Sequence, residues 1–594
     1  MSSQQSLQSR QSLVAVQVEQ PEGVQVAGAA ALGVRLRKGL QLTVQASRLD
    51  DRGYGLVQLP RAQIRVQGLL PGEQALVCIT HISAHQQGQT QESELGTGSE
   101  PGTEELQESG LAPAVVLQHK KSLVAYARIL RRETAASVRV VPACHQYGAC
   151  GGCVLQHLDY TEQRKWKTLQ VEQALAAFAV SVKDCAQVAS PFQYRSRVKL
   201  VVAKQASGVA LGAYAPRSHR VLPMTGCQVN TRRLTAVAKT LAAAVAASGI
   251  SIYEETAALG ALRYILLREV ASGAVQISLV SAEPVADAQL RMLLNQVTQA
   301  HPEVQSVVLH RNSQRGNALL QESTKALPGT TASDSSLAEG EDADAELGAL
   351  ASDQVLLGEP FLWEDLGILP QVPSELNAAL PSSLGVAGKE QAALVPSAAA
   401  TGKSGVRVRV SARAFLQVNR AVAAQLYADV ATALAPAATD TILDLYCGVG
   451  GLGRTVMAAA PGSKLIGVEL NASAIADAQA GAEAAGLSAT QARFVCGEVE
   501  SVLPALAPEL FGNTLAIINP PRKGCTPKVL AALLQSAPSA IAYVSCNPHT
   551  LARDLKTLCE REYVLTQVTP YDMHPGTLHV ETVAILKRRA PSLQ

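Results

Sequence analysis

Aromatic side chains are scarce in this sequence, 4% of 594 residues with only 2 Trp. Much of its apolar content is alanine instead. No apolar run reaches about 18 residues, so a membrane-spanning helix is not expected. The opening residues, MSSQQSLQSRQ, lack the apolar centre of a secretion signal, and a cytoplasmic protein is expected. A strong net charge is missing too, at +2. Bulk charge therefore announces no nucleic-acid partner, but its distribution leaves room for one. Residues 84–110 carry several Glu and no Lys or Arg, whereas Lys120 to Arg139 and YRSRVKL (194–200) are basic. An even cysteine count is also absent. Eleven Cys without a secretion signal argue against a disulfide scaffold.

What is present reads as several domains. Residues 1–34 read as a poorly ordered tail. From 35 to 134, short alternating runs such as LQLTVQ and AQIRVQ, broken by Gly and Pro turns, predict a small β-barrel. A polar insertion interrupts it at 84–112. Residues 135–320 combine a cysteine-rich stretch with helix and strand patterns, which predicts an α+β domain. Residues 321–405 are low-complexity insertions around a short structured segment. From 406 to 590, strands and helices alternate, which predicts a largely parallel, doubly wound sheet.

That last region carries the clearest chemistry. The turn DLYCGVGGLG (444–453) joins a strand to a helix, and its glycines let backbone approach a ligand closely. Glu469 ends the next strand, where a carboxylate can hold ribose hydroxyls. An adenosyl or dinucleotide ligand is indicated, against the plainer reading of a glycine-rich turn. Ligands of open α/β sheets bind beyond the carboxyl ends of the strands. Asp444 and Tyr446, INPPRKG (518–524) and Cys546 are therefore expected to converge there. In YVSCNPHTLARD (543–554), Cys546 sits at a strand tip. Asn547 and Pro548 then start a helix, whose N-terminal field is expected to lower the thiol's pKa. A nucleophile, a metal ligand and a small turn residue all remain open on these residues alone.

A second cysteine group, CHQYGACGGC, spaces Cys144, Cys150 and Cys153 for a metal or Fe–S site, with zinc as the alternative. Cys227 in PMTGCQVN is the best candidate for a fourth ligand. Cys78, Cys496, Cys525 and Cys559 read as ordinary small residues.

Taken in order, AFLQVN (414–419), DLYCGVGGLG, NPPRKG, SCNPHTLARD and HPGTLHVE resemble the RNA 5-methyluridine methyltransferases, which use S-adenosylmethionine (SAM). The resemblance spans most of residues 35–590. It implies a multidomain fold: an N-terminal OB-like TRAM barrel, a central α+β domain with a [4Fe–4S] cluster on Cys144, Cys150, Cys153 and Cys227, and a C-terminal Rossmann-like class I methyltransferase domain. It implies a nucleophile at Cys546 and a base at Glu581. SAM falls to Gln417, Tyr446, Gly451, Glu469, Glu498 and Asn519. Phe415 flanks the pocket, and Arg522 holds the target base or its own loop. Lys120, Lys121, Arg131, Arg132 and the YRSR strand are candidate RNA contacts. The substrate expected is 23S rRNA, with tRNA as the alternative, acted on by a monomer.

Two positions depart from the family pattern. Asn519 stands where the family has Asp, keeping an acceptor but losing the charge. Gly451 stands where Asn is usual, so no side-chain contact is possible there. Two other readings compete. An amino-group methyltransferase using Asn-Pro-Pro would place an aromatic where Arg522 stands and needs no Cys546. A catalytically weakened RNA-binding or assembly factor would fit Asn519 and the insertions.

Overall fold

The computed structural model describes residues 36–59, 62–84, 123–186, 188, 190–206, 208–314, 353–367, 405–506, 510 and 513–589. The expected tail, Lys120, Lys121 and nearly all of the expected insertions lie outside the described residues. The chain divides into two compact units, Met1–Val141 with His157–Asp159, and Pro142–Gln156 with Tyr160–Gln594.

The first unit is one six-stranded sheet: β1 (Gln41–Gln45), β2 (Arg48–Leu49), β3 (Tyr54–Leu59), β4 (Ala62–Gln67), β5 (Gln74–Ala84) and β6 (Leu123–Arg132), ordered β1-β5-β6-β4-β3-β2. Strict alternation in β4, AQIRVQ, sends Ile64 and Val66 inward, where they meet Leu42, Val44, Val57, Val77 and Ile79. Each such buried side chain contributes roughly 1.5–3 kcal/mol. Glu73, fully buried, accepts from the Arg139 guanidinium at 2.7 Å and from Leu70 N–H at 2.8 Å. Burial pushes its carboxyl up, but those bonds outweigh it and hold it below the usual range.

The second unit begins with the cysteine loop and α1 (Tyr160–Ala174). Next come β7 (Arg197–Gln205), β8 (Gly208–Tyr214), β9 (Val221–Pro223), α2 (Arg232–Ser248), β10 (Leu262–Glu269), β11 (Val275–Ser281), α3 (Asp287–Ala300), β12 (Val304–Arg311) and β13 (Gln354–Gly358). Their strands form a seven-stranded sheet, β13-β12-β11-β10-β7-β8-β9, covered by α2 and α3 through Leu241, Val245, Leu293 and Val297. An antiparallel pair of β14 (Phe361–Asp365) and β15 (Arg407–Ser411) comes next.

The remainder is α4 (Arg420–Leu434), β16 (Thr441–Leu445), α5 (Gly451–Ala458), β17 (Lys464–Glu469), α6 (Ala472–Ala484), β18 (Ala492–Cys496), α7 (Val499–Leu506), β19 (Thr514–Ile518), α8 (Pro527–Ser536), β20 (Ala540–Ser545), α9 (Pro548–Cys559), β21 (Tyr563–Tyr571) and β22 (Glu581–Arg588). The sheet order is β18-β17-β16-β19-β20-β22-β21. Every pairing from β18 to β20 is parallel, and β22 runs antiparallel to both of its neighbours. The β16 and β19 strands are nearly continuous apolar runs because both faces are covered by helices. No helix among the described residues is long and apolar enough to cross a membrane.

Candidate active site

From β16 the chain steps to β17 and β18 on one side, then returns to β19 and β20 on the other. This reversal beside β16 opens a crevice at the carboxyl ends of the strands. Read across the sheet, that edge carries Glu498 after β18, Glu469 ending β17, Tyr446 and the glycine turn after β16, Asn519 after β19, and Cys546 after β20. Because β22 is antiparallel, its first residue reaches the same edge. Ser545 pairs with Thr582, which sets Cys546 beside Glu581 one step along the ladder.

The glycine turn is held open by specific contacts. Tyr446, Gly448 and Gly450 have φ of 62, 55 and 73°, the left-handed region that favours glycine. Buried Asp444 accepts from Gly453 N–H at 2.9 Å and so ties down the first turn of α5. Burial pushes its carboxyl up to about 7, against the pull of that N–H. Glu469 accepts from Gly448 N–H at 3.1 Å and from Asn471 N–H at 3.0 Å, linking the turn to the start of α6. A Cβ on Gly453 would stand 2.6 Å from Asp444 Oδ2 and 2.8 Å from Leu465 Cδ1. Gly453→Ala is therefore expected to destabilise the protein by about 1–3 kcal/mol. It should also weaken binding of an adenosyl ligand, as thermal melting with and without S-adenosylhomocysteine would show.

The other expected cofactor residues differ in what they can offer. Gln417 is half-buried and lines a cavity of about 20 Å³ with Glu364, Leu366, Arg420 and Tyr427. Glu498 is exposed, Tyr446 and Asn519 are half-buried, and Asn519 N–H donates to Leu445 O at 3.2 Å. At Gly451 a Cβ would lie 3.2 Å from Leu366 Cδ1 and 3.6 Å from Tyr427 Cε2, so the glycine fits a spot with little room for a larger side chain. Phe415 is 60% exposed, free to meet a flat partner. A separate groove of about 830 Å³ runs between α8 and α9, walled by Leu530, Leu534, Arg553 and Arg561 and reaching Lys523 and Gly524 of the loop after β19.

At the other end of the crevice, Cys546 is half-buried and faces Glu581 and Arg522. The expected lowering of its thiol pKa does not occur. Burial pushes the thiol up, and the Glu581 carboxylate adds to the rise. Together they outweigh the Arg522 guanidinium, which favours the thiolate. Asn547 does cap α9 as expected, accepting from His549 N–H at 3.0 Å. Glu581 is 5% exposed, and burial pushes its carboxyl up to about 7 despite Arg522. Arg522 also donates to His579 Nε2 at 3.3 Å. A buried-but-raised carboxyl beside a thiol and a guanidinium can exchange a proton near neutral pH.

One arrangement had no counterpart in the motif reading. A single face of α9 grips the loop that carries Arg522. Asn547 Nδ2 and Thr550 Oγ1 donate to Arg522 O at 3.3 and 3.2 Å, and Arg553 donates to Lys523 O at 2.9 Å. Fully buried Asp554 accepts from Cys525 N–H at 2.8 Å and from the Tyr543 hydroxyl at 2.6 Å. The three- and four-residue spacing of these polar groups in NPHTLARD was the available signal.

Cys144, Cys150, Cys153 and Cys227 are all half-buried. They come near enough that the other three thiols add to the rise of Cys153, which burial pushes up to about 11. Among the described residues, however, no group of three or more His, Cys, Asp or Glu is drawn in tightly enough to hold a metal ion. The loop packs on Gly576, where a Cβ would stand 3.6 Å from Cys153 Cβ.

Comparison with known proteins adds names to this geometry. Residues 400–589 match the family model of the tRNA (uracil-5-)-methyltransferases. A Halalkalibacterium halodurans protein named as an uncharacterized RNA methyltransferase is 27% identical over 479 residues, 80% of this chain and 89% of its own. One from Listeria monocytogenes, named likewise, is 28% identical over 468 residues, 78% of this chain and 87% of its own. The crystal structure of the Pyrococcus abyssi tRNA (uracil-54, C5)-methyltransferase with S-adenosyl-L-homocysteine superposes with a TM-score of 0.59 at 21% identity, covering 92% of this chain and all of that one. This last likeness speaks for the fold alone. The enzyme class expected from the sequence, an RNA methyltransferase, is the one that the family and these relatives share.

Proposed function

We propose that the protein methylates C5 of a uracil in RNA through a covalent adduct at C6. The observation that carries this is the placement of Cys546 beside Glu581 at the ligand edge of a SAM-type sheet, with Arg522 facing both. Uracil C5 is too weak a nucleophile to take a methyl group unaided. Addition of the Cys546 thiolate to C6 moves the C5–C6 π pair onto C5 as an enolate. Bound SAM supplies a methyl group on a sulfonium sulfur, and C5 takes it while the C–S pair stays on that sulfur. Ionised Glu581 then removes the C5 proton. The freed pair restores the C5–C6 double bond, and the C6–S pair returns to Cys546. Arg522 favours the thiolate at both ends of the cycle.

SAM is assigned to Gln417, Tyr446, Gly451, Glu469, Glu498 and Asn519. Support comes from the open glycine turn and from a Glu469 carboxylate with lone pairs left for ribose hydroxyls. Gly451 serves through backbone alone, and Asn519 offers an amide in place of a carboxylate. A [4Fe–4S] cluster is assigned to Cys144, Cys150, Cys153 and Cys227. The all-thiol donor set fits it, and a cluster spreads its ligands wider than the single ion for which no tight group is found among the described residues. Methyl transfer has no net redox step, so the cluster's part is structural. The first unit is read as a TRAM-type RNA-binding barrel that brings Arg131 and Arg132 to the backbone, and the enzyme as a cytoplasmic monomer.

The RNA proposed is 23S rRNA, because barrel and cluster occur together; tRNA is the second reading, favoured by the family's name. The deciding experiment incubates the protein with labelled SAM and 5-fluorouridine RNA, which cannot release a C5 proton. A denaturation-resistant adduct is expected. Binding of RNA without any adduct would point instead to an assembly factor. Mapping 5-methyluridine in rRNA and tRNA from cells with and without the protein separates the two substrates.

A further inference from the structure

The loop between β21 and β22 is gripped by residues from outside its own sheet. Four consecutive carbonyls meet four different donors. Met573 O accepts from Asn419 Nδ2 at 3.4 Å and His574 O from Lys167 Nζ at 3.1 Å. Pro575 O accepts from the Tyr194 hydroxyl at 3.2 Å and Gly576 O from Leu155 N–H at 2.9 Å. Gly576 N–H in turn donates to Gln163 Oε1 at 3.0 Å. Lys167 also pairs with Asp572 at 2.5 Å, and both side chains are 0% exposed.

A fully buried ammonium is an expensive way to hold a loop. Apolar replacements of buried ion pairs are often neutral or stabilising. Stability is thus a poor account of Lys167, and geometry a better one. The held loop leads straight to the site. Glu581 pairs with Tyr571, the residue before Asp572. The His574 ring packs edge-on against His579 at 5.9 Å, and His579 meets Arg522. Burial holds both imidazoles below their usual range, so His579 stays neutral and accepts from the guanidinium.

We propose that Lys167 is a positioning residue for the proton-removal half of the reaction. With Tyr194 and Leu155 it fixes the 572–576 loop, and through the pairing of Tyr571 with Glu581 this sets Glu581 beside Cys546. This rests on the uracil-C5 reading. It separates the two halves of the cycle: nucleophilic addition draws on β20 and α9, whereas proton removal draws on the clamped loop.

The test uses the full-length protein and its Lys167→Met and Tyr194→Phe variants. Adduct formation on 5-fluorouridine RNA is compared with turnover on uridine RNA. For Lys167→Met, adduct formation should stay within about threefold of wild type while turnover falls roughly 10²-fold. A denaturation-resistant complex should then build up on ordinary uridine RNA, and KM for RNA should fall with turnover because the step after the adduct has become limiting. Tyr194→Phe removes one donor and no charge, and should show the same split at about tenfold. If Lys167→Met does not fold, Tyr194→Phe decides the matter. Equal loss of adduct and turnover, or no loss in either, would overturn the clamp while leaving the uracil-C5 reading intact. No adduct from wild type would overturn that reading, and the clamp with it.

Discussion

Cys546→Ala is expected to eliminate the 5-fluorouridine adduct and to lower methyl transfer by roughly four orders of magnitude. No other cysteine of this edge can take its place, because Cys525 is buried under Asp554 and Tyr543, Cys447 is buried behind the glycine turn, and Cys496 ends β18, four strands from β20. The loss should be confined to chemistry. Cys546 is only half-buried, and trimming it to a methyl group removes one sulfur from a strand tip. Melting temperature and the shift produced by S-adenosylhomocysteine should therefore stay near wild type. Labelled methyl incorporation and a denaturing gel read both effects. Turnover within about tenfold of wild type would remove Cys546 from the mechanism.

Glu581→Gln should produce the opposite phenotype on the gel. Without a base for the C5 proton, the methylated adduct cannot collapse, and a covalent complex should accumulate on ordinary uridine RNA. Turnover should fall by about 10²–10⁴-fold. The wild-type pH profile follows from the same residue. The base must be ionised, and burial pushes its carboxyl up to about 7. Breakdown of the methylated adduct, the step that Glu581 serves, is expected to quicken about tenfold per pH unit below 7 and to level off above it. A profile that is flat from pH 5 to 8 would exclude Glu581 as the base. The stability effect has a defined sign. The folded pKa is raised above the usual 4.5, so the stability from the protonated carboxyl is full at low pH and is lost as pH rises through about 7. Glu581→Gln, with no charge to bury, should accordingly melt higher than wild type at pH 8, the mark of a site kept for activity at the expense of stability.

Local chemistry made the strand-end residues readable in advance. Small β-branched runs such as IAYVS and LAIIN have to be buried strands. Asn547-Pro548 has to open a helix, and the glycines of DLYCGVGGLG have to make a close turn. These depend on neighbours a few residues apart, so periodicity and backbone preference are enough. Helix α1 was not anticipated, because its buried positions are Gln163, Lys167 and Thr168 as well as Trp166 and Val171, and that mixture leaves no apolar stripe.

Everything that depends on distant residues had to await the folded chain. The thiol of Cys546 was expected to be acidified by its helix. Instead, burial and a carboxylate 35 residues further along raise it, because the antiparallel β22 returns to the same edge. The electrostatics of a group follow from what surrounds it in space, and sequence neighbours supply only part of that. The same holds for Lys167. In the sequence it is one more lysine in YTEQRKWK, a residue type that mostly lies at protein surfaces. Only the docking of α1 against the 572–576 loop buries its ammonium, gives it a carboxylate and a carbonyl, and places it behind the reacting groups. Motif order along the chain was thus enough to name the chemistry, because reactive residue types are local. Which charges face which, and what holds them there, is a property of long-range packing.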